Sequence, residues 1–160
     1  MAEVVLAEEP ADSDDVRWCF EQYYAELDRR FRAGFDVDAA LPLGIDELTP
    51  PHGAVLIARE EGLPVGCGGV KLAEPRVGEI KRMWVSERVR GRGIGGRILA
   101  DLEARAIEAG KSVARLETNR NLGEAIAMYR KRGYREVAPF NEEQYGDHWF
   151  EKDLTSGDRA

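Results

Sequence analysis

Cysteine and histidine are scarce, with two of each in 160 residues. Cys19 and Cys67 stand apart, and with no C-x-x-C and only two histidines a zinc site has little sequence support, so no metal is expected. Cys19 sits in an apolar helical pattern and Cys67 in a glycine-rich strand, and buried, inert thiols are expected for both. No apolar run reaches membrane-spanning length, so no membrane partner is expected. The N-terminal stretch MAEVVLAEEP is acidic where a secretory leader is basic, which predicts a cytoplasmic protein. Positive charge is in deficit overall. A net charge of −7 argues against a general nucleic-acid binder. Repeats and linkers are also missing.

What is present is an uneven distribution of charge. Residues 1–80 carry 17 acids and 7 bases, residues 81–135 carry 6 and 14, and the last 25 carry 7 and 2. A basic middle between acidic ends suits an anionic cofactor. Ordinary solvated faces would give the same pattern.

Local signals divide the chain into strands at 3–8, 54–60, 65–72, 79–85 and 112–118, with YREV and HWFEKDL as the last two. Ser13 is placed to cap a first helix. Val16, Phe20, Tyr23, Tyr24, Leu27 and Phe31 fall near helical spacing along it, and Gly34 ends it. Residues 35–53 read as loop with one helical turn. EGLP reads as a hairpin turn. A second helix begins near Ile94 and ends at Gly110. A third runs over 123–133 and ends at Gly133. In 79–85, Glu79, Lys81, Met83 and Val85 alternate with Ile80, Arg82 and Trp84. Only part of this order repeats βαβ. The expected class is α/β or α+β, with a mixed, mostly antiparallel central sheet of six or seven strands and helices on both faces.

The stretch VRGRGIGGRIL, 89–99, supports two readings. Gly91, Gly93 and Gly96 spell the dinucleotide G-x-G-x-x-G. That fingerprint places its first glycine directly after a strand, but here SERVR intervenes, and no room is left for a second βαβ half. The other reading uses Arg90 and Arg92, glycines whose backbone N–H groups can approach a ligand, and the start of a helix. Together they suit a pyrophosphate. A glycine-rich turn with solvated arginines is the plainer alternative.

EIKRMWVSERVRGRGIGGRIL resembles the GNAT superfamily of acetyl-CoA-dependent N-acetyltransferases. The family's (Q/R)-x-x-G-x-(G/A) is matched by Arg90, Gly93 and Gly95, after a strand ending Met83-Trp84-Val85. EAIAMYRKRGYRE is similar to the family's A-x-x-x-Y-x-x-x-G-(F/Y), through Tyr129, Gly133 and Tyr134. The two motifs stand in family order and spacing, covering residues 54–137. The resemblance implies one acetyltransferase domain over 1–154, with 155–160 a frayed tail. It implies acetyl-CoA as cosubstrate, bound by Met83, Trp84, Val85, Arg90, Gly91, Arg92, Gly93, Ile94, Gly95 and Gly96. It adds Asn121, which lies eight residues ahead of Tyr129 rather than the family's seven, so Asn119 is an alternative. A homodimer is also implied, since many members dimerise.

Acetyl transfer to an amine needs a base, an oxyanion donor and a group to protect the leaving thiolate. The resemblance gives the thiolate to Tyr129 and the oxyanion to backbone N–H groups at Met83 to Val85. It gives the base to Glu79. For Tyr129 the alternative is core packing, and for Glu79 a strand-end carboxylate pairing with Lys81. The acceptor would be a small-molecule amine attacking directly in a ternary complex. The first helix and following loop would line its cleft, with Tyr23, Tyr24 and Glu26. The last hairpin would add Glu143 and Tyr145, with Asn141 and Glu142 beside them. Carboxylates between aromatic faces suit a cation with an apolar body, whereas Arg29, Arg30 and Arg32 could clamp a carboxylate. A non-catalytic acyl-CoA-binding module of the same fold is the alternative function.

Overall fold

The computed structural model describes residues 2–155. All of the expected tail except Thr155 therefore lies outside the described residues.

Burial along one strand sets the layers. In β2 (Gly53–Glu60), Ala54, Leu56 and Ala58 face one side, and Val55 and Ile57 face the other. All five are buried, so the sheet must be covered on both faces. The strands are β1 (Val4–Glu9), β2, β3 (Leu63–Lys71), β4 (Val77–Val85), β5 (Val113–Thr118), β6 (Arg135–Val137) and β7 (His148–Asp153). They form one sheet in the order β1-β2-β3-β4-β5-β7-β6. Every pairing is antiparallel except β4 with β5. Helix α1 (Asp14–Arg30) packs Val16 and Cys19 on Val55, Ile57, Cys67 and Trp84. Helices α2 (Ile94–Glu108) and α3 (Gly123–Lys131) cover the opposite face, where Ile98, Leu99, Leu102 and Tyr129 join Leu56, Val65, Leu116 and Phe150. Gly68 lets α2 sit close on β3. A Cβ there would lie 2.7 Å from Met83 Sδ and 2.8 Å from Ile98 Cγ2. Among the described residues no helix is long and apolar enough to cross a membrane.

Three local expectations change. Ser13 caps α1 through the Val16 N–H at 3.1 Å, but the helix stops at Arg30 rather than at Gly34. Phe31 turns extended, and its ring joins Phe35 and Tyr145 in an aromatic cluster. That tertiary contact ends the helix one turn early. The β2–β3 turn is only Glu61-Gly62, both at positive φ, as a two-residue hairpin requires. Leu63 and Pro64 already pair with Glu60 and Arg59.

The third change reaches the site. The alternation expected through β4 is interrupted at Arg82, which has φ 59°. Cys67 pairs with Trp84 and Gly69 with Lys81, so two β4 residues oppose one on β3. The bulge reverses the phase. Glu79 and Lys81 point toward the α1 face, yet Met83 and Val85 pack on the α2 face and Trp84 on the α1 face. The buried Cys67 thiol donates to the Arg82 carbonyl at 3.3 Å, and burial pushes that thiol well up.

Candidate active site

β4 and β5 pair only over Val77–Glu79 with Val113–Arg115. Beyond that point the strands separate and leave a wedge. Two cavities meet there. The larger, about 1290 Å³, runs from Met83, Trp84 and Val85 past Arg90, Gly91 and Gly93 to Ile94, Gly95 and Gly96. The smaller, about 390 Å³, opens between α1 and the other face of the wedge. Tyr23, Met83, Leu122, Ala125 and Tyr129 line both.

The glycine loop has the properties of an anion cradle. Gly91 and Gly93 hold φ of 81° and 75°, where an L side chain is strained. No side chain caps α2, and its first turn carries no acid. Its first backbone bond runs from the Arg97 N–H to the Gly93 carbonyl at 3.1 Å. The N–H groups of Ile94, Gly95 and Gly96 thus have no partner inside the helix, and the helix dipole is uncompensated. Arg132, at the end of α3, lines the same cavity, with Nε buried and unpartnered. Its Nη1 would lie 3.6 Å from a Cβ on Gly96. In sequence Arg132 was just one of three basic residues at a helix end. Nothing local marks it as facing the glycine loop.

The two loop arginines do different things. Arg90 lines the large cavity, donates from Nε to the Val85 carbonyl at 3.0 Å, and pairs with Glu26. Glu26 pairs with Arg30 at 3.3 Å, and Arg30 with Glu124 at 2.7 Å. This chain joins the loop, α1 and α3 along the cavity. Arg92, expected at phosphate, does not line it. Its guanidinium pairs with Glu60 at 2.7 Å and donates to the Ala2 carbonyl at 3.0 Å. It fastens the loop to the β1–β2 end of the sheet.

Tyr129 is buried, with its ring edge-on to Tyr134 and tilted against Phe150. Burial pushes its phenol well above the usual range, so the hydroxyl keeps its proton. Tyr134 packs and donates to Glu103 at 2.8 Å. Glu79 lines the small cavity but is held fast. Lys81 lies 2.8 Å from its Oε2, and Arg115 lies 3.4 Å from its Oε1. Burial alone would raise its carboxyl, but these cations and Lys71 outweigh it and lower the value. Both of its oxygens are thus occupied by cations, and neither is open to a substrate proton. Lys81 also reaches Glu117 at 2.8 Å. Burial tends to lower Lys81, and Glu117 and Glu79 together raise it.

The expected acceptor residues separate. Tyr23 lies at the junction of the cavities, whereas Tyr24 lines neither. Tyr24 stacks on Phe35, with the Arg82 guanidinium 5.1 Å from its ring centroid. Glu26 belongs to the large cavity, because Arg90 draws it there. Glu143 lines the small cavity, but its two oxygens accept from Leu41 N–H at 3.0 Å and Tyr145 N–H at 3.2 Å. It ties the residue 40 loop to the C-terminal loop. Tyr145 packs against Phe31 and Phe35 and forms an aromatic wall with them. Asn121 lines neither cavity and donates to Asn119 Oδ1 at 2.9 Å. Asn119 lines the small one. Among the described residues, no group of three or more His, Cys, Asp or Glu is arranged to hold a metal.

Comparison with known proteins gives the family and the fold. Residues 13–134 match the model of the acetyltransferase (GNAT) family. The chain is 36% identical over 141 residues to an IAA acetyltransferase of Azospirillum brasilense, covering 88% of this chain and 90% of the relative. An acetyltransferase of the GNAT family from Staphylococcus aureus shares the fold, with a TM-score of 0.79 at 16% identity, over 96% of this chain and 100% of the other. A GNAT family acetyltransferase from Elizabethkingia anophelis, solved with acetyl-CoA bound, superposes with a TM-score of 0.62 at 17% identity, over 94% and 97%. The matched span contains the strand before the glycine loop, the loop itself and Tyr129, and by that match the chain belongs to the GNAT family of acetyltransferases.

Proposed function

We propose that residues 1–154 form one catalytic domain that moves an acetyl group from acetyl-CoA to the amine of a small molecule. The observation that carries this is the meeting of two cavities at Tyr129, one with an anion cradle at its far end and one walled by aromatic and charged groups. Gly91 to Gly96 and Arg132 would hold the pyrophosphate. The β4 edge freed after Glu79 would receive the pantetheine and the thioester oxygen. The cosubstrate supplies an activated carbonyl and a thiolate leaving group. Tyr129, kept neutral by burial, donates to the departing sulfur. Its hydroxyl needs no other proton source to act as a hydrogen-bond donor.

The small cavity is the acceptor site. Phe31, Phe35, Phe140 and Tyr145 line it beside Glu117 and Arg115. Aromatic walls beside carboxylates favour an amine with an apolar or aromatic body. The contact between the cavities supports direct attack within a ternary complex. The test is release of free thiol from acetyl-CoA with a panel of aromatic amines, polyamines and amino acids. Failure to bind acetyl-CoA by calorimetry at sub-millimolar concentration would refute the reading. Preference for a polyamine, lost at high salt, would refute the apolar part of the acceptor.

A further inference from the structure

The acceptor cavity holds a carboxylate whose ion pairs use one oxygen. Glu117 stands near the end of β5 with its side chain 8% exposed. Its Oε1 accepts from Lys81 Nζ at 2.8 Å and from Asn141 Nδ2 at 3.2 Å. Its Oε2 is buried with no hydrogen-bond partner. A buried carboxylate oxygen without a donor is costly, and a bound ligand that brings an N–H removes the cost. Glu79 offers no such oxygen, since Lys81 and Arg115 hold one each.

Most charges around it are already paired. The carboxylates of Glu74, Glu79 and Glu117 share two cations, Lys81 and Arg115. With Lys71, Arg82 and Glu143 the cavity lining carries four carboxylates and four cations, so the unpartnered oxygen of Glu117, rather than net charge, is what a ligand N–H would meet. Arg82 also lines the cavity, but its guanidinium lies over the Tyr24 ring. Lys71, on the same cavity, pairs with Glu47 at 3.4 Å. The position fits the chemistry too. Burial does most to raise the phenols of Tyr23 and Tyr129, and the charge of Glu117 adds to both. Glu117 is therefore within electrostatic reach of the two hydroxyls at the junction of the cavities.

We infer that Glu117, through its free Oε2, binds the acceptor's ammonium and takes its proton, so that Glu117 rather than Glu79 is the base. This rests on the acetyltransferase reading of the same site. The ammonium gives one proton to Oε2, and the nitrogen lone pair forms a C–N bond to the thioester carbonyl carbon. The C–S bond breaks, and its electron pair stays on sulfur. The nitrogen then loses a second proton. One of the two protons ends on the thiol, and the other passes to solvent.

The experiment compares wild type, Glu117→Gln, Glu117→Asp and Glu79→Gln with two acceptors. One is an alkylamine, protonated at neutral pH, and the other an aromatic amine, already neutral there. With the alkylamine, Glu117→Gln should lose about 100-fold or more in kcat/KM, the usual worth of a positioned base. With the aromatic amine the loss should be under about tenfold, because less proton removal is needed. Glu117→Asp keeps a carboxylate for Lys81 and should fall between, with the same dependence on amine basicity. Acetyl-CoA affinity should stay within about twofold in all variants, which also reports folding. Equal losses with both amines would make Glu117 a packing residue and overturn the inference. A larger loss in Glu79→Gln than in Glu117→Gln would return the role to Glu79. Absence of acetyl-CoA binding in wild type would instead overturn the acetyltransferase reading beneath it.

Discussion

Replacing Tyr129 with phenylalanine removes one oxygen and keeps the ring. That ring is 5% exposed, 5.8 Å from Tyr134 and 6.3 Å from Phe150 by centroid, so its packing survives. What goes is a hydrogen bond made to a thiolate only as the C–S bond breaks. Hydrogen bonds to charged groups contribute about 1.5–3 kcal/mol. At about 1.4 kcal/mol per factor of ten, turnover should fall about 10- to 150-fold. The glycine loop, at the other end of the large cavity, is untouched, so acetyl-CoA affinity should change by less than about twofold. Because burial pushes the phenol up, it stays protonated in wild type, and the ratio of the two rates should be flat from about pH 7 to about pH 9. Thiol release under saturating acceptor measures turnover, and calorimetry measures affinity. Wild-type turnover in the variant, or a loss confined to KM, would refute the assignment and return Tyr129 to the core.

The loop arginines and Arg132 should separate by ligand. Arg132→Ala should weaken coenzyme A binding by about 1–3 kcal/mol and leave an acetyl-pantetheine lacking the pyrophosphate unaffected, whereas Arg92→Ala should lower the melting temperature and spare both affinities, read by calorimetry. Gly93→Ala places a Cβ at φ 75° and should cost about 1–2 kcal/mol in denaturant-measured stability. The folded-state value of Glu79 is lowered, so its stabilising contribution is present above the ordinary 4.5 and is lost as pH falls through the lower folded value. Glu79→Gln should therefore show a shallower loss of stability below pH 4.5 than wild type, followed by thermal melts across the acid range.

Much of the architecture was legible because its signals are local. Ser13 followed by an apolar stripe starts α1. Gly110 and Gly133 close α2 and α3 at positive φ, and Glu61-Gly62 turns the hairpin. The glycine loop could be read for the same reason, since left-handed backbone strongly favours glycine. The end of α1 was not legible, because Phe31 leaves the helix for Phe35 and Tyr145, and Tyr145 is more than a hundred residues away.

Residue chemistry was visible in the sequence, and so was the Glu79–Lys81 pair two residues apart, but the pairings between segments were not. Arg90 and Arg92 look alike along the chain, yet one lines the cavity and the other is held by Glu60, which β2 brings to it. The bulge at Arg82 moves Met83 and Val85 to the α2 face, and no local residue announces it. Glu79 and Glu117 are both strand glutamates. Lys81 pairs with Glu79 along β4 as the spacing allows, but only the parallel pairing of β4 with β5 adds Arg115 to Glu79 and brings Glu117 to Lys81 with its Oε2 left free. The sequence by itself determined the family, most of the elements and the glycine loop before α2, because those depend on backbone conformation and short spacings. Only the tertiary structure decided that both oxygens of Glu79 are held by cations while one oxygen of Glu117 has no partner, because that depends on groups from separate strands meeting between β4 and β5.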